Sequence, residues 1–78
     1  MEMAELMKMI KDRQGEMSTE EYANKMGIRQ VTLWRYYNSD RKISIEVLRR
    51  LARFYKQQGD TAMLEALSAY ALGDGGTS

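Results

Sequence analysis

The sequence predicts an all-α fold, one small domain built as a compact bundle of about five short helices. Proline is absent, and the internal glycines Gly15, Gly27 and Gly59 divide the chain into segments of helical length. Within each segment, apolar residues recur at the i, i+3, i+4 spacing of a buried helix face. A chain of 78 residues suffices for one domain or one protomer of an oligomer. We place the domain at residues 1–72 and expect a disordered tail at 73–78.

The first two helices have clear local signals. A helix is predicted from about residue 2 to residue 13. Its apolar stripe consists of Met3, Leu6, Met7 and Ile10. A second helix is predicted to start after Ser18, whose hydroxyl can cap the free amides while Glu21 completes a capping box. Met17, just before the cap, can pack on Tyr22.

The stretch from Thr19 to Asn38 predicts two short helices joined by a tight turn at Gly27. Each helix has an apolar side, formed by Tyr22, Ala23 and Met26 in the first and by Ile28, Leu33 and Tyr36 in the second. The small Ala23 lets the two backbones approach, and glycine accepts the positive φ that the turn requires. This pattern is typical of a helix-turn-helix, whose second helix enters the major groove of DNA.

Two further helices are predicted in the second half of the chain. Ser44 is the expected N-cap of a helix that reaches about Gln58. Its core face consists of Ile45, Leu48, Leu51, Ala52 and Tyr55. A last helix starts at Asp60 or Thr61 and ends at about Leu72.

The last helix is apolar on more than one side. Its expected core residues are Leu64, Leu67 and Ala71, which leaves Met63, Ala66 and Tyr70 over. A partner subunit is the simplest cover for a second apolar side. We therefore expect a homodimer, with Met63 and Tyr70 as its contacts.

Positive charge is concentrated in the middle of the chain. Residues 29–56 carry eight basic and two acidic side chains, whereas the whole chain has a net charge of only +1. The basic residues are Arg29, Arg35, Arg41, Lys42, Arg49, Arg50, Arg53 and Lys56. A basic stretch that begins where the second motif helix begins is typical of a polyanion-binding face. Solvated helix surfaces would give the same charge run, so charge alone favours neither interpretation.

Enzyme activity is not expected from this composition. Histidine and cysteine are both absent, which removes the commonest general base, the commonest metal ligand and any thiolate or disulfide. Adjacent carboxylates such as Glu20 and Glu21 diverge by about 100° on a helix and cannot act as a catalytic pair. We expect no metal and no cofactor.

Membrane insertion is not expected either. No apolar run reaches the roughly 20 residues of a membrane span, and the first residues lack the apolar stretch of a secretory signal. These features predict a cytoplasmic protein with no membrane partner.

From about Leu6 to Leu72 the chain resembles the helix-turn-helix domain of the Cro and phage-repressor family. The positions that carry the resemblance are Ala23, Gly27, Ile28, Leu33, Tyr36 and Asn38, followed by Ser44, Ile45, Leu48, Leu51 and Ala52. It implies a repressor-like bundle of five helices that binds operator DNA, commonly as a dimer. Two positions depart from the family pattern. Arg29 replaces the usual Ser or Thr cap of the recognition helix, and Ser39 replaces the usual glycine after Asn38.

The resemblance assigns DNA contacts to particular residues. The implied base contacts are Arg29, Gln30, Val31, Trp34 and Arg35, and the implied backbone contacts are Tyr37, Asn38, Arg41 and Lys42. Chemistry supports the first set, because Gln bonds adenine, Arg bonds guanine or phosphate, and apolar side chains pack on the thymine methyl. Other interpretations stay open: Gln30 as a solvated residue, Arg35 as the partner of a carboxylate, and Trp34 as partly buried structure.

Together the patterns predict a sequence-specific DNA-binding transcriptional regulator of the repressor type. Helix 29–37 would enter the major groove of a double-stranded DNA operator. Two alternatives remain. An antitoxin built on the same domain would pair with a toxin partner. A helical protein-interaction adaptor would use the surplus apolar side of the last helix, and it does not require the basic residues to start with the recognition helix.

Overall fold

Five α-helices account for most of the structure, a computed structural model that describes residues 1–39 and 41–76. They are α1 (Met3–Gln14), α2 (Thr19–Met26), α3 (Gln30–Asn38), α4 (Ile45–Gln57) and α5 (Thr61–Gly76). The described residues contain no strand, so the predicted all-α bundle is confirmed. The bundle measures 35 × 27 × 21 Å, with an α-carbon radius of gyration of 11.7 Å.

Serine caps set the starts of α2 and α4 at the predicted positions. The Ser18 Oγ accepts a hydrogen bond from the Glu21 amide at 3.1 Å, and the Ser44 Oγ accepts one from the Val47 amide at 3.2 Å. Each bond satisfies one of the amides that the first turn of a helix leaves free. The local sequence therefore decides where these two helices begin.

One apolar core connects all five helices. Its largest fully buried side chains are Leu6, Ile10, Leu33, Leu51, Tyr55 and Met63. The hydroxyls of Tyr22 and Tyr55 share a hydrogen bond of 2.8 Å inside this core, so neither polar group is left unpaired. Burial is the main cause that raises the pKa of both phenols. A buried polar contact thus fixes α2 to α4 in addition to apolar packing.

The buried face of α5 differs from the predicted one. Met63, Ala66 and Tyr70 are buried, whereas Ala71 is exposed. The Tyr70 hydroxyl also accepts a hydrogen bond from the Ile43 amide at 3.2 Å. Because α5 packs against both α1 and α4, it buries a wider face than one interface would need. Met63 and Tyr70 are therefore core residues of the chain, not the exposed residues that a contact with a second subunit requires.

The start of α4 also corrects the predicted core. Ile45 is 69% exposed, and Ile43, just before the helix, is buried instead. A side chain in the first turn leans toward the helix N-terminus, so that of Ile45 projects past the end of the bundle. The rest of the predicted face is buried or partly buried, with Leu51 and Tyr55 innermost.

An ion pair joins the end of α1 to the start of α5. The Arg13 Nε lies 2.7 Å from the Asp60 Oδ2, and the Asp60 Oδ1 accepts a hydrogen bond from the Met63 amide at 3.2 Å. The hydrogen bond from Arg13 is the main cause that lowers the pKa of Asp60 below its usual value. Asp60 is thus both a cap of α5 and its link to α1.

The last helix, α5, extends further toward the carboxy terminus than predicted. α5 continues to Gly76, past the expected end at about Leu72. Residues 77 and 78 of the tail predicted at 73–78 lie outside the described residues, so disorder stays a prediction for them. None of the described helices has both the length and the apolar character that crossing a membrane needs.

Candidate nucleic-acid interface

α3 has one buried side and one exposed side. Leu33 and Tyr36 point into the core. Gln30, Val31, Trp34 and Arg35 are all exposed, and at helical spacing they fall on the other side of α3. The structure thus brings together the predicted base-contacting residues of α3, with Arg29 directly before them.

Trp34 is a surface residue. Its exposed fraction is 55%, and that of Val31 is 45%. The interpretation of Trp34 as partly buried structure is therefore not supported. Large apolar side chains exposed one helical turn apart form a small apolar patch between polar neighbours.

The turn between α2 and α3 is held by backbone hydrogen bonds. Gly27 has a φ of 77° and a ψ of 27°, the left-handed conformation that glycine adopts without strain. The Ile28 amide then donates to the Ala23 carbonyl at 3.0 Å, which closes the end of α2 as in a Schellman motif. Ala23 has no exposed surface, so the close approach of α2 and α3 depends on its small side chain.

Arg50 of α4 is a further residue that holds this turn. Its Nη1 donates to the Gly27 carbonyl at 2.9 Å, and its Nη2 lies 3.2 Å from the Glu46 Oε1. The sequence analysis placed Arg50 only in the basic stretch at 29–56. Nothing local signals the contact, because its partners are 23 residues apart; the only hint is that the last carbonyls of α2 need donors.

The N-terminus of α3 lacks a side-chain cap. Arg29 occupies the N-cap position with a φ of −78° and a ψ of 148°, and its side chain makes no capping hydrogen bond. Its carbonyl accepts from the Thr32 and Leu33 amides. Within the described part of the chain, the amides of Gln30 and Val31 have no acceptor. Free amides and the helix dipole make this end favourable for an anion.

Cavities on the α4 side of α3 place arginines next to it. One of about 570 Å³ lies between the starts of α3 and α4 and includes Arg29. Another of about 260 Å³ lies between α3 and the segment before α4, and it includes Arg35 and Arg41. Neither Arg29 nor Arg35 forms an ion pair with any residue that the structure describes. Their charges are available to an anion.

The predicted backbone-contacting residues are divided between two places. Arg41 and Lys42 are exposed after α3. Tyr37 is instead half-buried, and its hydroxyl donates to the Gln14 Oε1 at 2.7 Å. Burial is the main cause that raises the pKa of this phenol. The side chain of Tyr37 therefore holds α1 against α3.

The turn after α3 does not need glycine. The Asn38 Nδ2 donates to the Trp34 carbonyl at 2.8 Å, and the Ser39 Oγ donates to the Arg35 carbonyl at 2.7 Å. Both bonds satisfy carbonyls at the end of the helix. Ser39 is extended, with a φ of −149°, so any residue is tolerated there. The adjacent Asp40 lies outside the described residues.

Comparisons of the chain with protein-family models, with curated proteins and with solved structures found no match.

Proposed function

We propose that this protein is a sequence-specific DNA-binding transcriptional regulator of the repressor type. α3 is its recognition helix and enters the major groove of double-stranded DNA. The observation that carries the proposal is the exposed side of α3, where Gln30, Val31, Trp34 and Arg35 face solvent while Leu33 and Tyr36 anchor the helix in the core.

The exposed side chains match the chemistry of base edges. The Gln30 amide can donate to and accept from adenine, and the Arg35 guanidinium can donate to guanine. Val31 and Trp34 are suited to the methyl group of thymine, which only an apolar surface distinguishes. A face with donors, an acceptor and an apolar patch can read a sequence instead of only gripping a polyanion.

The charges around α3 support a duplex ligand. Arg29 and Arg41 line cavities beside the reading face, where Arg and Lys side chains contact phosphates. The free amides at the start of α3 add donors for the same phosphates. We also propose that Lys42 and Asn38 contact the DNA backbone. A repressor that acts on the operators of a bacterium or phage would be cytoplasmic.

The two alternatives fare differently. An antitoxin would use the same face of α3 on DNA, so the proposal includes it, with the toxin as an additional partner. The adaptor depended on a surplus apolar side of α5. Met63, Ala66 and Tyr70 of that side are buried, so they are not accessible to an adaptor's partner.

The proposal is tested by selecting a binding site from random duplexes and then measuring two variants on it. One variant removes a proposed base contact, and the other removes a proposed contact with the DNA backbone. On the selected site, Gln30→Ala is expected to weaken binding by about 1–3 kcal/mol and to change binding to unrelated DNA little. Arg41→Ala is expected to weaken both and to make the salt slope shallower by about one unit.

The control is the circular dichroism of both variants, which must equal that of the parent protein. No enrichment of any sequence, or no duplex binding at low salt, would overturn the proposal. An equal loss on specific and unrelated DNA for Gln30→Ala would leave DNA binding but remove Gln30 as a base reader.

A further inference from the structure

A third cavity, of about 190 Å³, lies behind the turn between α2 and α3. Its basic lining residues are Lys25 at the end of α2 and Arg50 and Arg53 on α4. None of the lining residues that the structure describes is acidic. We call it the rear cavity. It is not among the surfaces that the DNA contacts above would use.

Two of the three cations of the rear cavity are available. Lys25 and Arg53 are exposed and form no ion pair or hydrogen bond with a described residue. Arg50 is already engaged by the Gly27 carbonyl and by Glu46. Lys25 and Arg53 carry like charges on the lining of one cavity, and an anion between them would reduce their repulsion.

The three cavities share lining residues and therefore adjoin one another along α4, and we call them together the groove. The rear cavity shares Gly27 and Arg50 with the cavity of about 570 Å³ that contains Arg29. That cavity shares Thr32 and Val47 with the cavity of about 260 Å³. The charged residues along the groove are Lys25, Arg53, Arg50, Arg29, Arg35 and Arg41, with Glu46 paired to Arg50.

From this geometry we infer that the rear cavity binds a phosphate group, supplied by the backbone of bound DNA outside the base pairs that α3 reads. A volume of about 190 Å³, many times the roughly 10–15 Å³ that one water molecule needs on the same measure, admits a tetrahedral oxyanion. Arg53 offers the planar fork that pairs with phosphate oxygens, and Lys25 offers a point charge. The inference rests on the proposed function, because the groove connects this cavity to α3.

The test removes two positive charges from the rear cavity and, as a matched control, two from elsewhere. The first variant is Lys25→Gln with Arg53→Gln. The control is Lys8→Gln with Lys56→Gln, which are exposed and line none of the three cavities. Both pairs change the net charge equally, and none of the four side chains is buried. Binding is measured over a range of salt concentrations on a long duplex and on one trimmed to the selected site.

On the long duplex, the rear-cavity variant of a bound homodimer is expected to lose about two units of salt slope, about 0.9 for the one phosphate in each of the two rear cavities. Each lost contact lowers affinity roughly fivefold to tenfold at 0.1 M salt. The control is expected to lose well under one unit, and on the trimmed duplex both variants should bind like the parent. Equal effects of the two variants on the long duplex would overturn the inference while the proposed function stands.

A second measurement separates DNA phosphate from free phosphate. Inorganic phosphate is titrated into the protein without DNA, and amide shifts of Lys25, Gly27 and Arg53 are followed by NMR. Saturable shifts that vanish in the rear-cavity variant, in a protein that binds no duplex, would assign the cavity to a free phosphate compound and reject the DNA source. Absence of shifts together with absence of duplex binding would reject the cavity as a phosphate site.

Discussion

Arg29 combines a poor cap with a proposed DNA contact. Ser18 and Ser44 have nearly the same backbone angles as Arg29, and both cap their helices. A cation at a helix N-terminus is also unfavourable for the helix dipole. We expect Arg29→Ser to raise the free energy of unfolding by about 0.5–1 kcal/mol while it weakens DNA binding. Urea unfolding and a duplex-binding assay on the same protein measure the two effects.

Ser44→Ala is the matched control for that variant, because it removes a cap that the structure contains. It is expected to lower the free energy of unfolding by about 1 kcal/mol. If Arg29→Ser is no more stable than the parent protein, the first turn of α3 does not lack a cap. If it binds DNA as well as the parent, Arg29 is not a contact.

At the scale of elements, Gly27 sets the direction in which α3 leaves α2. An added Cβ would meet the Arg50 Nη1 at 3.6 Å, an ordinary contact, so the cost of Gly27→Ala comes from its positive φ. Gly59 has a similar φ of 71°, and a Cβ there would meet nothing within 4 Å. Both alanine variants are expected to lower the free energy of unfolding by about 1–2 kcal/mol.

Only Gly27→Ala is expected also to weaken DNA binding beyond its effect on stability, because it lies between α2 and α3. Thermal unfolding and duplex titration at a temperature where both variants are folded provide the comparison. Equal DNA affinity for the two alanine variants would show that the turn tolerates alanine without moving α3.

The stability that the ion pair between α1 and α5 contributes should depend on pH. Because Arg13 lowers the pKa of Asp60, the ionised carboxylate stabilises the fold at pH values above 3.8, the usual pKa of this group. That stabilisation is lost as the pH falls below this value through the lowered pKa. Asp60→Asn is expected to lower the free energy of unfolding near neutral pH by about 0.2–1 kcal/mol, as for other partly exposed pairs. Asn keeps the capping oxygen of α5.

Urea unfolding at pH 7 and below about pH 3 checks the acid dependence. The difference between Asp60→Asn and the parent should shrink in acid. Glu65→Gln, an exposed carboxylate on α5 with no described ion pair, should show little difference at either pH. A difference for Asp60→Asn that stays constant with pH would mean that the ion pair contributes nothing.

For the molecule as a whole, local signals predicted more than distant contacts did. The caps at Ser18 and Ser44 and the turn at Gly27 depend on neighbouring residues, so they are visible in the sequence. The buried side of α5 was predicted only in part: Leu67 is buried as expected, but so are Met63, Ala66 and Tyr70, because both α1 and α4 cover α5. The sequence did not predict the contact of Arg50 with the turn either, because it also depends on how distant helices pack.

In the candidate site, too, features that depend on local sequence were predicted better than those that depend on distant contacts. The family resemblance grouped Gln30, Val31, Trp34 and Arg35, and the helical period explains why they lie on one side of α3. The resemblance also assigned Tyr37 to the DNA backbone; the sequence did not predict its bond to Gln14, because that bond depends on how α1 packs. The rear cavity needs three elements at once, and no local pattern predicts it.

We expect the protein to bind its operator as a homodimer, and the size of the bundle determines how this can be tested. One chain has a longest dimension of 35 Å and a single exposed α3. Two half-sites on one face of a duplex lie roughly 34 Å apart, so two copies are needed to fill both. The selected sites should therefore be palindromic, with half-site centres about 10 base pairs apart.

Sedimentation of the protein on the full palindrome, and on a duplex of equal length with one half-site scrambled, measures the number of chains bound. Two chains are expected on the first duplex and one on the second, with tighter binding to the first. Tyr70→Asp is unsuitable as a dimer test, because Tyr70 is 6% exposed and a buried charge would unfold the chain. Selected sites without symmetry, each holding one chain, would show that the protein acts on DNA as a monomer.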